Sequence, residues 1–454
     1  MKKFRLLLAS FLLVGVAMSA SAQRQRNHRA GNYEPTVFLI SVSQTDSIPL
    51  CNPCKAGYRN AAVNNLAMQQ AISDYNETWR PGFQQVEKPL FIFTTKNNKF
   101  SFAVGGEINL RASYEFDGIV NNIDFVPYDI PVPGNYASKQ RLNMDASTSK
   151  IFIKAIANTR TLGRVVVFVD TDFRGGNGTN YTPRIRSAFV AFKGFTFGRD
   201  VTTFCDLQAA PTTIDYQGPN AYNYRYSTMI RYEFSCANDH LQAGAAAELP
   251  RVSGTYGAFA QPIPQRVPDF PVYLQLSWGA ERRSHFRASA VFRDMYLYNA
   301  VTDNVTTRFG WGVQASGNIM IGRVLNLFFN GVYGKGITPY LQDIAGAGLD
   351  FTPNPENAQQ IQTMPMYGWQ AAAQINLFRN LSLSGGYSAV TVEKEHGAYA
   401  DNEYRRGQYI FGNIFYHITP RFKIAGEYLY GTRKNMNDEH NHANRVNVMA
   451  QYNF

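Results

Sequence analysis

From about residue 100 onward, apolar and polar residues alternate along the chain with a period of two. Between Ser101 and Tyr114, one face carries apolar side chains such as Phe102 and Leu110, and the other carries polar ones such as Glu107. Strands of soluble proteins are usually about five or six residues long, whereas a strand that crosses a bilayer needs about 9–11 residues. The pattern therefore predicts strands that are long enough to span a membrane.

The same alternation predicts about sixteen strands. We expect them to begin near Ser101, Lys139, Gly163, Thr182, Phe195, Tyr224, Asp239, Pro271, Ser284, Val305, Arg323, Met364, Asn380, Arg406, Pro420 and Ala443. Short connections alternate with long ones, and the long ones are expected at Phe116–Ser138, Arg174–Tyr181, Asp200–Asn223, Pro250–Phe270, Asp294–Asn304, Lys335–Thr363, Val392–Arg405 and Gly431–His442. Short periplasmic turns and long extracellular loops are typical of a transmembrane antiparallel β-barrel. We therefore predict an all-β fold, a barrel of about sixteen strands.

The start of the chain predicts export from the cytoplasm. Residues 1–22 combine a basic beginning, a short apolar run and an Ala-Ser-Ala cleavage site, which together indicate a signal peptide. Residues 23–98 are expected to form an N-terminal periplasmic segment, with one short helix over Asn60–Trp79. Residues 99–454 are expected to form the barrel in a bacterial outer membrane.

The last strand, Ala443–Phe454, alternates up to its final residue, with Val448 and Tyr452 on the apolar face. An exposed apolar edge of this length would be an aggregation hazard, which favours closure against the first strand. A terminal Phe preceded by alternating apolar residues resembles the signal that the barrel-assembly machinery recognises. We therefore expect Phe454 to serve that recognition.

Composition excludes several other classes of protein. The chain has 454 residues, 14% aromatic residues and a net charge of +11. The aromatic content is too high for a disordered chain. Beyond the N-terminus, the sequence contains no apolar run of the roughly 20 residues that a membrane helix requires. The basic charge comes without a nucleic-acid recognition motif, so no nucleic-acid partner is expected.

The polar face of each strand should line the lumen, because a charge facing lipid at the midplane costs about 2–4 kcal/mol. The inward positions predicted to be basic are Arg184, Arg186, Arg225, Arg231, Arg287 and Arg293. Rows of Arg attract anions, and guanidinium groups suit carboxylates and phosphates. The alternative is that these side chains pair with Asp170, Asp172 and Glu233 as ion pairs of the wall.

The third long loop is expected to fold inward and to narrow the barrel. It carries Asp206 and Asp215 together with Pro211 and Pro219. Acidic groups that face a basic wall would produce a transverse field at the constriction. The alternative is an external loop with no role in the pore.

The run RIRSAFVAFKGFTFGRDVTTFCDLQAAPTTIDYQGPN, followed by YRYSTMIRY, resembles the DcaP-like porin family. The resemblance implies a sixteen-stranded, trimeric outer-membrane porin for small anionic solutes, dicarboxylates among them. It implies the basic lumen role for Arg184, Arg186 and Arg225, and the constriction for Thr202–Pro219. The helical head is also similar to the periplasmic segment of that family, but it lacks the sustained heptads of a long coiled-coil stalk.

Cysteine and histidine positions predict little chemistry. Cys51 and Cys54 are candidates for a structural disulfide, whereas Cys205 and Cys236 should not pair unless the third loop reaches deep into the barrel. No metal site, cofactor or catalytic constellation is predicted, so an enzyme is not expected. The sequence thus predicts a water-filled channel in outer-membrane lipid that passes small anionic solutes. The alternative is a structural or adhesion barrel whose long loops bind a partner.

Overall fold

The computed structural model describes residues 37–41, 61–95, 98–118, 120, 123–134, 140–176, 180–279, 283–395, 400 and 402–454, with residues 37–41 and 61–68 described by their backbone alone. The chain divides into two compact units, residues 1–38 and 39–454. The barrel belongs to the second unit. The predicted signal peptide and the pair Cys51 and Cys54 lie outside the described residues.

One helix and twenty-two strands are assigned in the described residues. The helix is α1 (Ala61–Glu77), close to the predicted range. The strands are β1 (Val37–Ser41), β2 (Phe91–Thr95), β3 (Phe100–Asp117), β4 (Arg141–Asp145), β5 (Lys150–Thr159), β6 (Gly163–Asp172), β7 (Arg184–Phe192), β8 (Phe195–Val201), β9 (Tyr226–Cys236), β10 (Leu241–Glu248), β11 (Ala260–Pro262), β12 (Phe270–Trp278), β13 (Ser284–Asn299), β14 (Asn304–Ile321), β15 (Leu325–Lys335), β16 (Phe351–Asn354), β17 (Asn357–Thr363), β18 (Pro365–Phe378), β19 (Leu381–Val392), β20 (Tyr404–His417), β21 (Phe422–Asn435) and β22 (His440–Asn453). Short 3₁₀ turns lie at Pro127–Asp129, Thr338–Tyr340 and Gln342–Ile344.

Sixteen of these strands form a closed antiparallel barrel, which confirms the predicted fold class. The barrel strands, in chain order, are β3, β5, β6, β7, β8, β9, β10, β12, β13, β14, β15, β18, β19, β20, β21 and β22, and β4 extends the second of them along β3. The barrel closes where β22 pairs with β3, with Tyr452 opposite Ile108. At this seam, the Phe454 amide donates to the Gly106 carbonyl at 3.0 Å, and the Gly106 amide donates to the Phe454 carbonyl at 3.1 Å. The seam therefore leaves no open edge between the last strand and the first.

The alternation in sequence becomes the two faces of the wall. In β22, Val448 and Tyr452 point outward and are about half exposed, whereas Asn447 and Gln451 point into the lumen and are buried. An apolar outer face and a polar inner face are what a barrel in lipid requires. The predicted assignment of faces follows directly from the period of two.

Most strands begin within a few residues of the predicted positions; the exception is the second barrel strand, expected near Lys139, where β4 begins at Arg141 and β5 at Lys150. Two predicted long loops, however, are wrong. The connection expected at Asp294–Asn304 is a four-residue turn at residues 300–303, and the one expected at Gly431–His442 is a turn at residues 436–439. In both hairpins the cross-strand pairing continues into the polar residues, as in Tyr296 opposite Thr307. Polar residues beyond the lipid can stay in a strand, so loss of the apolar alternation does not mark the end of one.

The lumen is largely filled, and its filling comes from both ends of the barrel. At the end with long loops, here the loop end, the third loop (residues 202–225) and the sixth loop (residues 336–364) bury Phe204, Tyr340 and Leu341 against inward-facing strand residues. At the end with short turns, here the turn end, Tyr75 at the end of α1 packs against the inner wall with Ile92. The barrel therefore has an apolar core inside its lumen.

Replacing Val448 by Arg would test the assignment of the outer face. Because Val448 faces lipid between two apolar strand neighbours, the charge should lower the free energy of unfolding by about 2–4 kcal/mol. The measurement is urea unfolding of the barrel in lipid vesicles. The control is Val448→Leu, which keeps an apolar side chain at this position. An Arg variant as stable as the Leu variant would contradict the assignment.

Candidate functional site

The third loop runs through the lumen rather than over the barrel. Its first residues are fixed to the wall next to β9, where the Glu248 carboxylate accepts hydrogen bonds from the Thr202 hydroxyl at 2.7 Å and the Thr203 amide at 2.6 Å. Further along, the Asp206 carboxylate accepts from His285 Nε2 at 2.7 Å and from the Ser316 hydroxyl at 2.8 Å. A loop inside the barrel needs such partners, because its buried backbone groups are removed from water.

The tip of the third loop is held by the opposite wall. Glu427 on β21 accepts from the amides of Ile214 at 3.0 Å and Asp215 at 2.7 Å. The carboxylate is also bound by Asn413 and Asn447, both at 3.1 Å. One buried carboxylate thus satisfies two adjacent loop amides that have no strand partner.

The loop then returns along other strands. The Ser388 hydroxyl on β19 donates to Asn220 Oδ1 at 2.7 Å and accepts from the Ala221 amide at 2.9 Å. On β15, Asn330 donates to Asn223 Oδ1 at 3.1 Å. The third loop therefore contacts strands around most of the circumference, and the solute path must pass beside it.

The structure buries the two predicted acidic residues of the constriction instead of exposing them. Burial alone would raise the pKa of Asp206, but the hydrogen bonds from His285 and Ser316 and the charge of Arg287 lower it, so this carboxylate stays ionised. Burial raises the pKa of Asp215, and the nearby Asp124 and Glu427 raise it further.

Asp215 accepts from Tyr409 at 3.0 Å and from the Phe125 amide at 3.1 Å, and both acids anchor the loop. Pro211 lies on the stretch between the two anchors, and Pro219 on the returning stretch. Asp206 and Asp215 therefore do not face the pore as exposed acids, and they do not supply the predicted transverse field.

Four of the six predicted lumen arginines are ion-paired, as the alternative interpretation expected. Arg184 binds Asp172 through two hydrogen bonds, at 3.0 and 2.5 Å. The other three are paired with buried acids on the wall or in the loops: Arg186 with Asp170 at 3.1 Å, Arg231 with Asp200 at 2.7 Å and Glu233 at 3.2 Å, and Arg293 with Asp269 and Asp350, both at 3.1 Å. Arg186 and Arg293 have almost no exposed surface. These side chains stabilise the wall and the loops.

Arg225 and Arg287 differ from the other four. Within the described part of the chain, neither forms an ion pair with a carboxylate. The guanidinium carbon of Arg225 lies 4.4 Å from the ring centre of Tyr340, and that of Arg287 lies 3.6 Å from the ring centre of Tyr273. Stacking on an aromatic face orients a guanidinium without neutralising it.

The two unpaired arginines lie on opposite sides of the third loop. Arg225 lines a cavity of about 320 Å³ at the loop end, together with Arg184, Arg199 and Arg251. Arg287 lines a cavity of about 390 Å³ towards the turn end. A solute that passes the third loop would therefore meet a guanidinium without a direct ion pair before and after it.

The period-two pattern missed the residues that hold the loops, since a hydrogen-bonding partner across the lumen has no sequence spacing. Asp343 of the sixth loop is the clearest case, because it accepts from Tyr404 at 2.5 Å, the Tyr128 amide at 2.9 Å and Asn220 at 3.0 Å. One carboxylate thus joins the first, third and sixth loops to β20. Burial raises the pKa of Asp343 to about 6.

Cys205 is buried in the third loop and Cys236 is exposed at a turn, and both are free cysteines although the third loop runs inside the barrel. Among the described residues, no cluster of three or more His, Cys, Asp or Glu side chains is arranged to hold a metal ion. In the same residues, no helix is both long and apolar enough to span a membrane.

The closed sixteen-stranded barrel, with its filled lumen and inward charges, defines an outer-membrane barrel of porin architecture. Residues 64–247 match the model of the DcaP outer membrane protein family. The resemblance seen in the sequence is thereby confirmed over those residues, which include α1, the third loop and the first seven barrel strands. No curated protein matches the chain by sequence.

Solved structures share this architecture. The outer membrane channel DcaP of Acinetobacter baumannii superposes with a TM-score of 0.68 at 19% identity, covering 78% of this chain and 97% of that one. An anion-selective porin from Comamonas acidovorans superposes with a TM-score of 0.49 at 12% identity, covering 78% of this chain and 100% of that one. OmpT of Vibrio cholerae gives the same TM-score and identity, with 78% and 98% of the two chains covered.

Replacing Glu427 by Gln should loosen the tip of the third loop. The amide side chain presents N–H groups to loop amides that need an acceptor, so we expect a loss of about 2–3 kcal/mol of stability. Protease cleavage between Pro211 and Asp215 should become faster. Glu439→Gln, an exposed acid in the turn that follows β21, is the control and should leave cleavage unchanged. Equal cleavage of both variants would contradict the anchoring role.

The raised pKa of Asp343 predicts a pH dependence of stability. Its folded pKa of about 6 lies above the ordinary value of 3.8, so the folded state binds the proton more tightly than the unfolded state. The resulting stability is fully present below about pH 4 and is lost as pH rises through 6, by up to about 3 kcal/mol. Unfolding midpoints at pH 5 and pH 7.5 should therefore differ less in Asp343→Asn than in the parent chain. An unchanged difference between the two pH values would show that Asp343 is not the source of the pH dependence.

Proposed function

We propose that this chain is an outer-membrane diffusion channel that prefers small anionic solutes and is narrowed by the third loop. The observation that carries the proposal is the pair Arg225 and Arg287, which form no direct ion pair among the described residues and lie on the two sides of that loop. The other predicted lumen arginines are neutralised by neighbouring acids, so they add little to the field that a solute meets. At the third loop, selectivity is therefore expected to depend on these two side chains rather than on rows of arginine.

The chemistry of these two groups favours carboxylates. A guanidinium offers paired N–H donors that match a carboxylate or phosphate. In Arg225, Nη1 is buried without a hydrogen-bond partner, and Nη2 makes only long contacts, at 3.4 and 3.5 Å. Such a side chain retains donors for a passing anion. Dicarboxylates are the solute class that the family resemblance suggests, and two cations in series suit a solute with two charges.

Assembly follows the same resemblance. We propose a homotrimer, in which each subunit contributes its own channel. We also propose that the barrel-assembly machinery recognises the last strand through Phe454. The hydrogen bonds of the Phe454 backbone in the closing seam support this role, since a free last strand would present the residue before closure.

Reversal potentials in planar bilayers test the proposal. The parent chain should show greater permeability to chloride and succinate than to potassium. Arg225→Gln should lower the anion-to-cation permeability ratio by about twofold or more, because it removes a charge without a direct ion pair from the path. Arg287→Gln should lower the ratio less, because acidic groups also line the cavity beside Arg287. Arg323→Gln changes the same charge at an exposed turn outside the lumen and is the control.

Cation selectivity of the parent chain would overturn the anion preference. A chain that reconstitutes but conducts nothing would favour the alternative of a structural or adhesion barrel. Equal ratios in all three variants would mean that Arg225 and Arg287 do not determine the preference.

A further inference from the structure

A stretch of the N-terminal head lies across the lumen beneath the third loop. This crossing segment, Trp79–Lys88, is held at one end by Arg80, which forms ion pairs with Asp200 at 3.1 Å and Glu233 at 2.9 Å. At its other end, Glu87 pairs with Lys423 at 3.0 Å. Glu233 lies on β9 and Lys423 on β21, the sixth and fifteenth of the sixteen barrel strands. The segment therefore joins nearly opposite walls.

The middle of the crossing segment is bound to the underside of the third loop. The Phe83 amide donates to the Leu207 carbonyl at 2.8 Å, and the Phe83 ring lies edge-on to Tyr222 and Tyr224 at 5.2 and 5.5 Å. A Cβ atom on Gly82 would lie 2.7 Å from the Leu207 carbonyl oxygen, so only glycine allows this approach. Such dense packing indicates that the crossing segment is a fixed partition of the lumen and not a loosely associated tail.

The crossing segment also changes which wall charges a solute can meet. The Gln84 carbonyl accepts from Arg186 at 2.6 Å and from Lys150 at 3.0 Å. Arg421, in the turn before β21, donates to the Lys88 carbonyl at 2.8 Å. Arg186 and Lys150 are also ion-paired with Asp170 and Glu107 on the wall, at 3.1 and 2.8 Å, whereas Arg421 has no ion pair among the described residues. The segment thus gathers cations along one of its sides.

Two cavities lie at the turn end, one on each side of the crossing segment, and Trp79 and Pro81 line both of them. The first, of about 390 Å³, is balanced in charge, with Arg80, Arg231 and Arg287 against Asp200, Asp206 and Glu233. The second, of about 500 Å³, is net positive, with Lys88, Lys150, Arg421 and Lys423 against Glu87 and Glu107. The cavities thus differ in charge and share one partition.

We propose that the crossing segment divides the turn end of the channel into two exits and that the net positive exit, beside Lys423, carries most of the anion flux. The inference rests on the proposed channel function. The physical reason is that a cavity lined by one sign of charge raises the local concentration of the opposite ion. The crossing segment thereby becomes a selectivity element of the pore rather than a separate periplasmic head.

The third loop supplies a matched pair of positions for the test. Gln208 and Thr212 are both exposed and four residues apart, but Gln208 lines the balanced exit and Thr212 lines the positive one. Each is replaced by Cys in a background in which Cys51, Cys54 and Cys236 are Ser, with the buried Cys205 retained. An anionic and a cationic methanethiosulfonate of similar size are then applied while the current is recorded.

The expected result is a block of chloride current at least about threefold larger at Thr212→Cys than at Gln208→Cys with the anionic reagent. In a second variant, Phe83→Ala, the partition should loosen, so single-channel conductance should rise and the difference between the two positions should shrink. Equal block at the two positions, or unchanged conductance in Phe83→Ala, would overturn the proposal.

Failure of the channel proposal gives results different from those expected if only the two-exit inference fails. If the parent chain prefers cations, reversal potentials show it directly, and the anion route fails with it. An unequal block by the cationic reagent would then still report a divided lumen. If the parent chain prefers anions but both positions block equally, only the two-exit inference fails. A barrel that conducts nothing overturns both.

Discussion

A strand in hydrocarbon has no water to satisfy its backbone, so this sheet must close on itself, and the pairing of β22 with β3 is where it does. Closure determines the side to which every residue points. Along β22, Val448 faces outward and Asn447 faces inward because they are neighbours in a paired strand, whatever their local environment. All charges within the membrane span are thereby directed into one enclosed space, and their arrangement there follows from that confinement.

An enclosed, low-dielectric lumen makes isolated charges costly and paired ones tolerable. The group formed by Arg80 and Arg231 with Asp200 and Glu233 illustrates the result, since two cations and two acids lie within ion-pair distance and their charges balance. Arg225 and Arg287 escape this pairing because each is supported by an aromatic ring and by neutral oxygens. A channel built on this principle derives its selectivity from the few charges that the wall does not neutralise.

The period of two predicts strand positions and faces well, because the lipid imposes it on every strand. It predicts Arg186 as inward, for example, but not its pairing with Asp170, which depends on the neighbouring strand and on a bulge in β6 and β7. It also cannot distinguish a strand that continues above the lipid from a loop, which is why residues 294–299 were expected to be irregular. The crossing segment has no period at all, since each of its residues meets a different partner.

The loops inside the barrel explain why buried carboxylates line the lumen. Their unpaired amides need acceptors, and buried carboxylates supply them. Glu427 binds two amides of the third loop, Glu248 binds Thr203, and Asp350 binds the amides of Ser253 and Thr338 at 2.8 Å.

Arginines serve the loop carbonyls in the same way, as Arg287 does for Thr203. A carboxylate that accepts hydrogen bonds from several amides has few acceptor sites left. An arginine has five N–H donors and keeps some of them after binding one carbonyl. Anchoring loops in a lumen therefore occupies the acceptor sites of these acids, whereas part of the donor capacity of the arginines stays available to a solute.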